Sequence, residues 1–255
     1  MRLRWIAPFL LLVGLPAPAV VAQRQLDKPQ AVVPEVQTAD WAQSWWGQRH
    51  EEKLKEKEAR GQIDLLMIGD SITQGWEGGG KATWEKYYAH RHALNIGFSG
   101  DRTENVIWRL QHGAVDGISP RLAVIMIGTN NAGLRQDKPE DTAAGVKAIL
   151  TELRTRLPDT KCLVLAIFPR GEKTDDPLRQ LNDATNQILK KMADDQRVFF
   201  LDINAEFLDD DGTLPKDLMP DLLHPNEKGY EIWAAAMEPT IKKLLGEDAG
   251  AGEKK

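Results

Sequence analysis

The stretch IDLLMIGDSITQG, Ile63 to Gly75, decides the reading of the chain. Its apolar run from Ile63 to Ile68, broken only by Asp64, is short and stops at Gly69. That is the mark of a buried strand in a parallel sheet. Gly69, Asp70 and Ser71 follow, and then a helix start. In open parallel sheets chemistry collects at the carboxyl ends of the strands, so Ser71 stands where a nucleophile is useful. Serine in such a place also serves as a helix cap, and these three residues alone do not separate the two roles.

Outward from this stretch, apolar runs alternate with amphipathic segments. Strands are predicted at Leu65–Ile68, Ala93–Ile96, Ala123–Ile127, Cys162–Ile167 and Val198–Leu201, and helices at 81–89, 102–112, 139–157, 177–194 and 226–245. This alternation predicts the α/β class, with a five-stranded parallel sheet covered on both faces. Right-handed crossovers make it a three-layer α/β/α sandwich. One domain is predicted over residues 61–245, without internal repeats.

The 255 residues fit one domain with appendages, and 42% hydrophobic with 28% charged residues is the balance of a soluble globular protein. A formal net charge of -5 without a basic stripe argues against nucleic acid as a partner. The start, MRLRWIAPFLLLVGLPAPAVVAQ, carries Arg2 and Arg4, an apolar core and then Val20-Val21-Ala22 before Gln23. This is the layout of a secretory signal peptide over residues 1–22, cleaved after Ala22, and it predicts a periplasmic or secreted protein. Pro8, Pro16 and Pro18 shorten the apolar helix and argue against a membrane anchor. Cys162 is the single cysteine, so no internal disulfide is expected, and its apolar run predicts a buried, inert thiol.

Residues 23–38 read as a linker. Residues 39–60 read as a helix capped by Asp40 and packed on the domain, with Trp41, Trp45 and Trp46 near one face and His50 at helical spacing. The run EEKLKEKEAR after it reads as a solvated face. The tryptophans either dock this helix or form a ligand surface, and docking is the simpler reading. The tail GEDAGAGEKK, residues 246–255, is predicted disordered.

Polar residues gather where a catalytic rim is expected. The second strand runs into Gly97-Phe98-Ser99-Gly100-Asp101, the third into Gly128-Thr129-Asn130-Asn131. Glycines there permit tight turns and close approach of backbone to a ligand, and Asn130 brings an amide donor. Near the end lies Asp221-Leu222-Leu223-His224-Pro225-Asn226. Among the histidines, His50, His90, His92 and His112 lack a carboxylate at such a spacing, and their default is packing or surface. Serine hydrolysis needs a nucleophile, a neutral imidazole to take its proton, a carboxylate to fix the tautomer, and donors for the oxyanion. Ser71, His224, Asp221, Gly100 and Asn130 meet those needs.

Four blocks in order, Gly69-Asp70-Ser71, Gly97 to Asp101, Gly128-Thr129-Asn130-Asn131 and Asp221-x-x-His224, resemble the SGNH or GDSL hydrolases. The segments HALNIGFSGD (92–101), VIWRL (106–110), GTNN (128–131), PRGEK (169–173) and PLRQLN (177–182) are most similar to the catalytic subunits of platelet-activating-factor acetylhydrolase Ib. The resemblance spans residues 40–245. It implies a flavodoxin-like strand order 2-1-3-4-5 and hydrolysis of small acyl esters, acetyl favoured, with no metal or other cofactor. It implies Ser71, Asp221 and His224 as catalytic residues, the Ser71 and Gly100 N–H groups and the Asn130 amide as the oxyanion hole, Asp70 in a supporting role, and a homodimer. The leaving group expected is a small-molecule, glycan or lipid alcohol. The chain departs from the animal subunits, which are cytosolic, in its leader. It departs also in a longer loop, Gln74–Lys81, with Gly75, Gly78, Gly79 and Gly80. No G-x-S-x-G elbow surrounds Ser71, and the glycine-rich loop lacks the G-K-[ST] ending of a P-loop. The rival readings are a lysophospholipase or thioesterase on the same site, a non-catalytic glycan- or lipid-binding module, and a metal hydrolase using Asp221 and His224.

Overall fold

The computed structural model describes residues 28–247. The leader with its cleavage site, residues 23–27 of the expected linker and residues 248–255 of the tail lie outside the described residues. Among the described residues the five strands are β1 (Leu65–Gly69), β2 (Ala93–Gly97), β3 (Leu122–Met126), β4 (Lys161–Leu165) and β5 (Val198–Leu201). They form one sheet of order β2-β1-β3-β4-β5, every pair parallel. All five residues of β1 are buried, as a strand covered on both faces requires. Its alternate residues feed two cores: Leu66 and Ile68 one face, Leu65 and Met67 the other.

Among the described residues seven α-helices, α1 (Trp46–Arg60), α2 (Ser71–Gln74), α3 (Lys81–Tyr87), α4 (Thr103–Arg109), α5 (Pro139–Arg156), α6 (Pro177–Leu189) and α7 (Glu227–Leu245), accompany the sheet. On the first face α1, α4 and α5 bring Trp46, Val106, Val146 and Ile149 to the core. On the second, α7 buries Tyr230, Trp233, Met237 and Ile241, a three- and four-residue spacing that makes one apolar stripe. Trp76 packs on Tyr230 and Trp233 at ring separations of 4.6 and 4.7 Å. The glycines of the 75–80 loop serve this packing: a Cβ on Gly80 would meet the Trp76 and Tyr230 rings.

The order 2-1-3 reverses direction at β1, so the crevice at a topological switch point opens above the carboxyl ends of β1 and β3. The loops carrying Ser71 and Asn130 flank that crevice.

Four expectations at the edges of the domain change. Residues 28–38 lie along the domain rather than linking to it: Ala31 is buried, its carbonyl accepts from Thr103 Oγ1 at 2.8 Å, and the Glu35 carbonyl accepts from Asn105 Nδ2 at 3.0 Å. The N-terminal helix starts at Trp46, and Asp40 does not cap it; turns cover 40–45, and the Asp40 carboxylate accepts from Gln43 Nε2 instead. Lys57 in the mixed-sign run is buried, its ammonium donating to the Gly113 and Asp116 carbonyls at 2.6 and 2.8 Å. Gly246 and Glu247 belong to the fold: Gly246 takes the left-handed conformation that ends α7, and Glu247 pairs with buried Arg91 at 2.6 Å. Cys162 is buried as expected, and burial pushes its thiol up to about 11.

Candidate active site

The short helix α2 begins at Ser71 because Asp70 caps it, its carboxylate accepting from Ile72 N at 3.0 Å. Ser71 is thereby relieved of capping, and its hydroxyl turns to His224: Oγ and Nε2 are 2.8 Å apart. On the far side of the ring His224 Nδ1 lies 2.6 Å from Asp221 Oδ2. An ionised carboxylate can only accept, so Nδ1 carries the hydrogen and Nε2 is left to accept from Ser71. Burial works to raise the Asp221 carboxyl, but hydrogen bonds from the His224 ring and backbone outweigh it and hold it below the ordinary value.

The loop is built to hold this pair. Asp221 Oδ1 accepts from the backbone N–H groups of Leu223 and His224 at 3.1 and 2.7 Å, which folds the acid back over the base. Leu222 takes a left-handed φ of 59° to make the turn, and Gly171 N donates to its carbonyl at 3.0 Å. Asn226 ends the loop as the cap of α7, accepting from Gly229 N at 3.1 Å. The site is open: the Asp221 and His224 side chains are 57% and 40% exposed. Two cavities of about 700 and 320 Å³ lie elsewhere, lined by neither Ser71 nor His224.

The expected donors stand at the ends of β2 and β3, the strands on either side of β1. Gly100 has a left-handed φ of 72°, and neither its N–H nor that of Ser71 donates to another group among the described residues. Asn130 is buried and its Nδ2 donates to the Asp101 carbonyl at 3.0 Å. That bond orients the amide and leaves its second hydrogen free. The structure thus brings Ser71, His224 and Asp221 together in one hydrogen-bonded run, with the Gly100 and Asn130 segments at the adjoining strand ends.

Beneath the rim lies a buried charge network. Asp101 accepts from Trp46 Nε1 at 2.6 Å and from Arg109 Nε at 2.8 Å, and the Arg109 guanidinium lies 4.0 Å over the Phe98 ring. Burial pushes the Asp101 carboxyl up to about 6, and Arg109 keeps it ionised at neutral pH. Sequence reading assigned no role to Arg170, although it stands in the PRGEK segment after β4. Its Nη1 donates to the Thr129 carbonyl and hydroxyl at 2.9 and 3.2 Å, one residue before Asn130. His50 is buried in the core, its Nε2 donating to the His112 carbonyl at 2.9 Å. Among the described residues no group of three or more His, Cys, Asp or Glu could hold a metal ion, and no helix is long and apolar enough to cross a membrane.

Comparison with known proteins gives concordant results. The model of the GDSL-like Lipase/Acylhydrolase family matches residues 67–232. Platelet-activating factor acetylhydrolase IB subunit alpha2 of Rattus norvegicus is 38% identical over 188 residues, covering 72% of this chain and 78% of the relative. Subunit alpha1 of Homo sapiens is 34% identical over 190 residues, covering 74% and 80%. The crystal structure of Axe2, an acetylxylan esterase from Geobacillus stearothermophilus, superposes with a TM-score of 0.57 at 21% identity over 72% of this chain and 94% of that one, a likeness of fold.

Asp70 supplies a test. Burial, together with the charge of Asp101, pushes its carboxyl from 3.8 up to about 7, against the Ile72 N–H that favours the ionised form. Between about 4 and about 7 the native carboxyl holds a proton that the unfolded chain has lost. Its contribution to stability is therefore full below about 4 and is lost as pH rises through about 7. Asp70→Asn keeps an oxygen for the cap and removes the titration. Melting temperatures of the two proteins from about pH 4 to about pH 8 should shift steadily in favour of the variant; a constant difference contradicts the burial of an ionisable Asp70.

Proposed function

The chain belongs to the GDSL-like lipase/acylhydrolase family, and on that premise we propose that this serine ester hydrolase cleaves small acyl esters, acetyl above all, through a Ser71–His224–Asp221 triad. One observation carries the reading: the unbroken run from Ser71 Oγ to His224 Nε2 at 2.8 Å and from His224 Nδ1 to Asp221 Oδ2 at 2.6 Å. Ser71 Oγ attacks the acyl carbonyl while Nε2 takes its proton. Asp221 steadies the imidazolium. The oxyanion is received by the Ser71 and Gly100 N–H groups and the free hydrogen of the Asn130 amide. His224 then returns the proton to the leaving alcohol, and a water activated by the same nitrogen releases the acid and restores Ser71. The acetyl preference is supported by the names of the relatives, which are acetylhydrolases. The leader supports export to the periplasm or beyond.

Ser71→Ala should melt like the wild type and keep no more than a few per cent of its turnover on short acyl esters, and a fluorophosphonate should label the wild type at Ser71 alone. Substantial activity in the folded variant, or labelling elsewhere, removes Ser71 as nucleophile. Asn130→Ala should lower kcat by roughly 10²–10³ with little change in KM, the signature of a donor used in the transition state. A folded Asn130→Ala with near-normal kcat would leave the amide only its bond to Asp101.

A further inference from the structure

The three tryptophans at the start of α1, Trp41, Trp45 and Trp46, part company in the structure. Trp46 is 3% exposed and docks on Asp101, whereas Trp41 is 50% exposed. Trp41 is nonetheless held in place. Its ring stacks on Trp45 with centroids 6.2 Å apart, and Trp45 Nε1 donates to the Trp41 carbonyl at 3.0 Å. Its six-membered ring occupies the space that a Cβ on Gly100 would need. The segment before it is tied to the same glycine: Gln37 Nε2 donates to the Gly100 carbonyl at 3.0 Å, and Gln37 Oε1 accepts from Ala39 N at 3.2 Å. An exposed indole is thus fixed against the loop that supplies a proposed oxyanion donor.

The residues adjoining Gly100 carry polar atoms without partners. Ser99 N donates to Gln74 Oε1 at 2.7 Å, which brings Gln74 next to Gly100. The Gln74 Nε2 and Ser99 Oγ atoms themselves have no hydrogen-bond partner among the described residues, and neither residue is buried. A flat apolar face edged by free donors and acceptors suits a sugar ring, which shows C–H bonds on its face and hydroxyls around its rim. A hydrocarbon chain would call for a continuous apolar trough, whereas here free polar groups stand on Ser99, next to Gly100 in the chain, and on Gln74, bonded to Ser99 N. An acetyl group is a single methyl beyond the carbonyl, so the part of the ester large enough to cover an indole is its alcohol.

We propose that Trp41, with Gln74 and Ser99, forms a subsite for a pyranose ring as the alcohol portion of the acetyl ester, an inference that rests on the esterase reading above. The pre-fixed ring costs little ordering on binding. Kinetics on three acetates test it: acetylated methyl β-xylopyranoside, ethyl acetate and a long-chain alkyl acetate in mixed micelles. The wild type should favour the xyloside over ethyl acetate. Trp41→Ala should lose roughly tenfold in kcat/KM on the xyloside, chiefly through KM, and clearly less on ethyl acetate. Trp41→Phe should restore most of that loss. Unacetylated methyl β-xylopyranoside should compete with ethyl acetate on the wild type, a measurement that needs no variant. Equal losses on both esters, absence of competition, or a larger Trp41 dependence on the long-chain acetate would overturn the subsite. Failure of the wild type on every ester, without fluorophosphonate labelling, would instead sink the esterase reading.

Discussion

The site depends on a close approach at the ends of β1 and β2. Helix α2 turns back over the two strands so tightly that a Cβ on Gly69 would overlap Thr73 and the Met126 carbonyl, and one on Gly97 would overlap the backbone of Thr73 and Gln74. Only glycine admits that contact. It sets Ser71 at the first turn of a short helix, with its own N–H left without an acceptor among the described residues. Asn95, one strand over, donates from Nδ2 to the Thr73 carbonyl at 2.9 Å and accepts from Gly97 N at 2.8 Å, so the same crossing is also hydrogen-bonded. The Gly100 loop follows at once from β2. The distance between the proposed nucleophile and the proposed backbone donor is therefore a property of two adjacent strands.

A second constraint is charge held without water. Asp101 and Arg109 are fully buried and pair at 2.8 Å. The desolvation of such a pair offsets much of its attraction, so its value lies in conformation more than in stability. Here it joins the Gly100 loop to α4, and Trp46 adds α1 through Asp101 Oδ1 at 2.6 Å. Asn130 reads the same residue from its carbonyl side at 3.0 Å. Asp101 thus orients one proposed donor and anchors the loop of another, although its carboxylate points into the core. On the other flank Arg170 holds Thr129 while its neighbour Gly171 holds Leu222, so the Asn130 turn and the Asp221–His224 loop share one support.

The features legible in sequence were those with a local cause. Buried parallel strands read as apolar runs, and all five lie within two residues of where the pattern put them. Asp221 and His224 could be paired from sequence because three residues of turn suffice to bring them together. Ser71 could be placed because a strand end and a helix start meet there. What escaped has a distant cause. Nothing within residues 28–38 signals that Thr103, Asn105 and Gly100 will accept them. Asp40 has the chemistry of a cap, but the tertiary docking of Trp46 sets where α1 begins. Trp41 and Trp46 are equivalent as letters, and only the position of Gly100 and Asp101 separates an exposed ring from a buried one. Arg170 stood in a quoted segment, yet its partner Thr129 is 41 residues away.

The central claim is that Ser71 carries the acyl group between two half-reactions. Its most direct test is to mix the enzyme with excess acetyl ester, quench in acid within the first turnovers, digest, and weigh the peptide that spans Ser71. The account requires that peptide to carry one acetyl group, on Ser71 itself. An unmodified Ser71 peptide from an enzyme turning over under those conditions, or an acetyl group found on another residue, would contradict it.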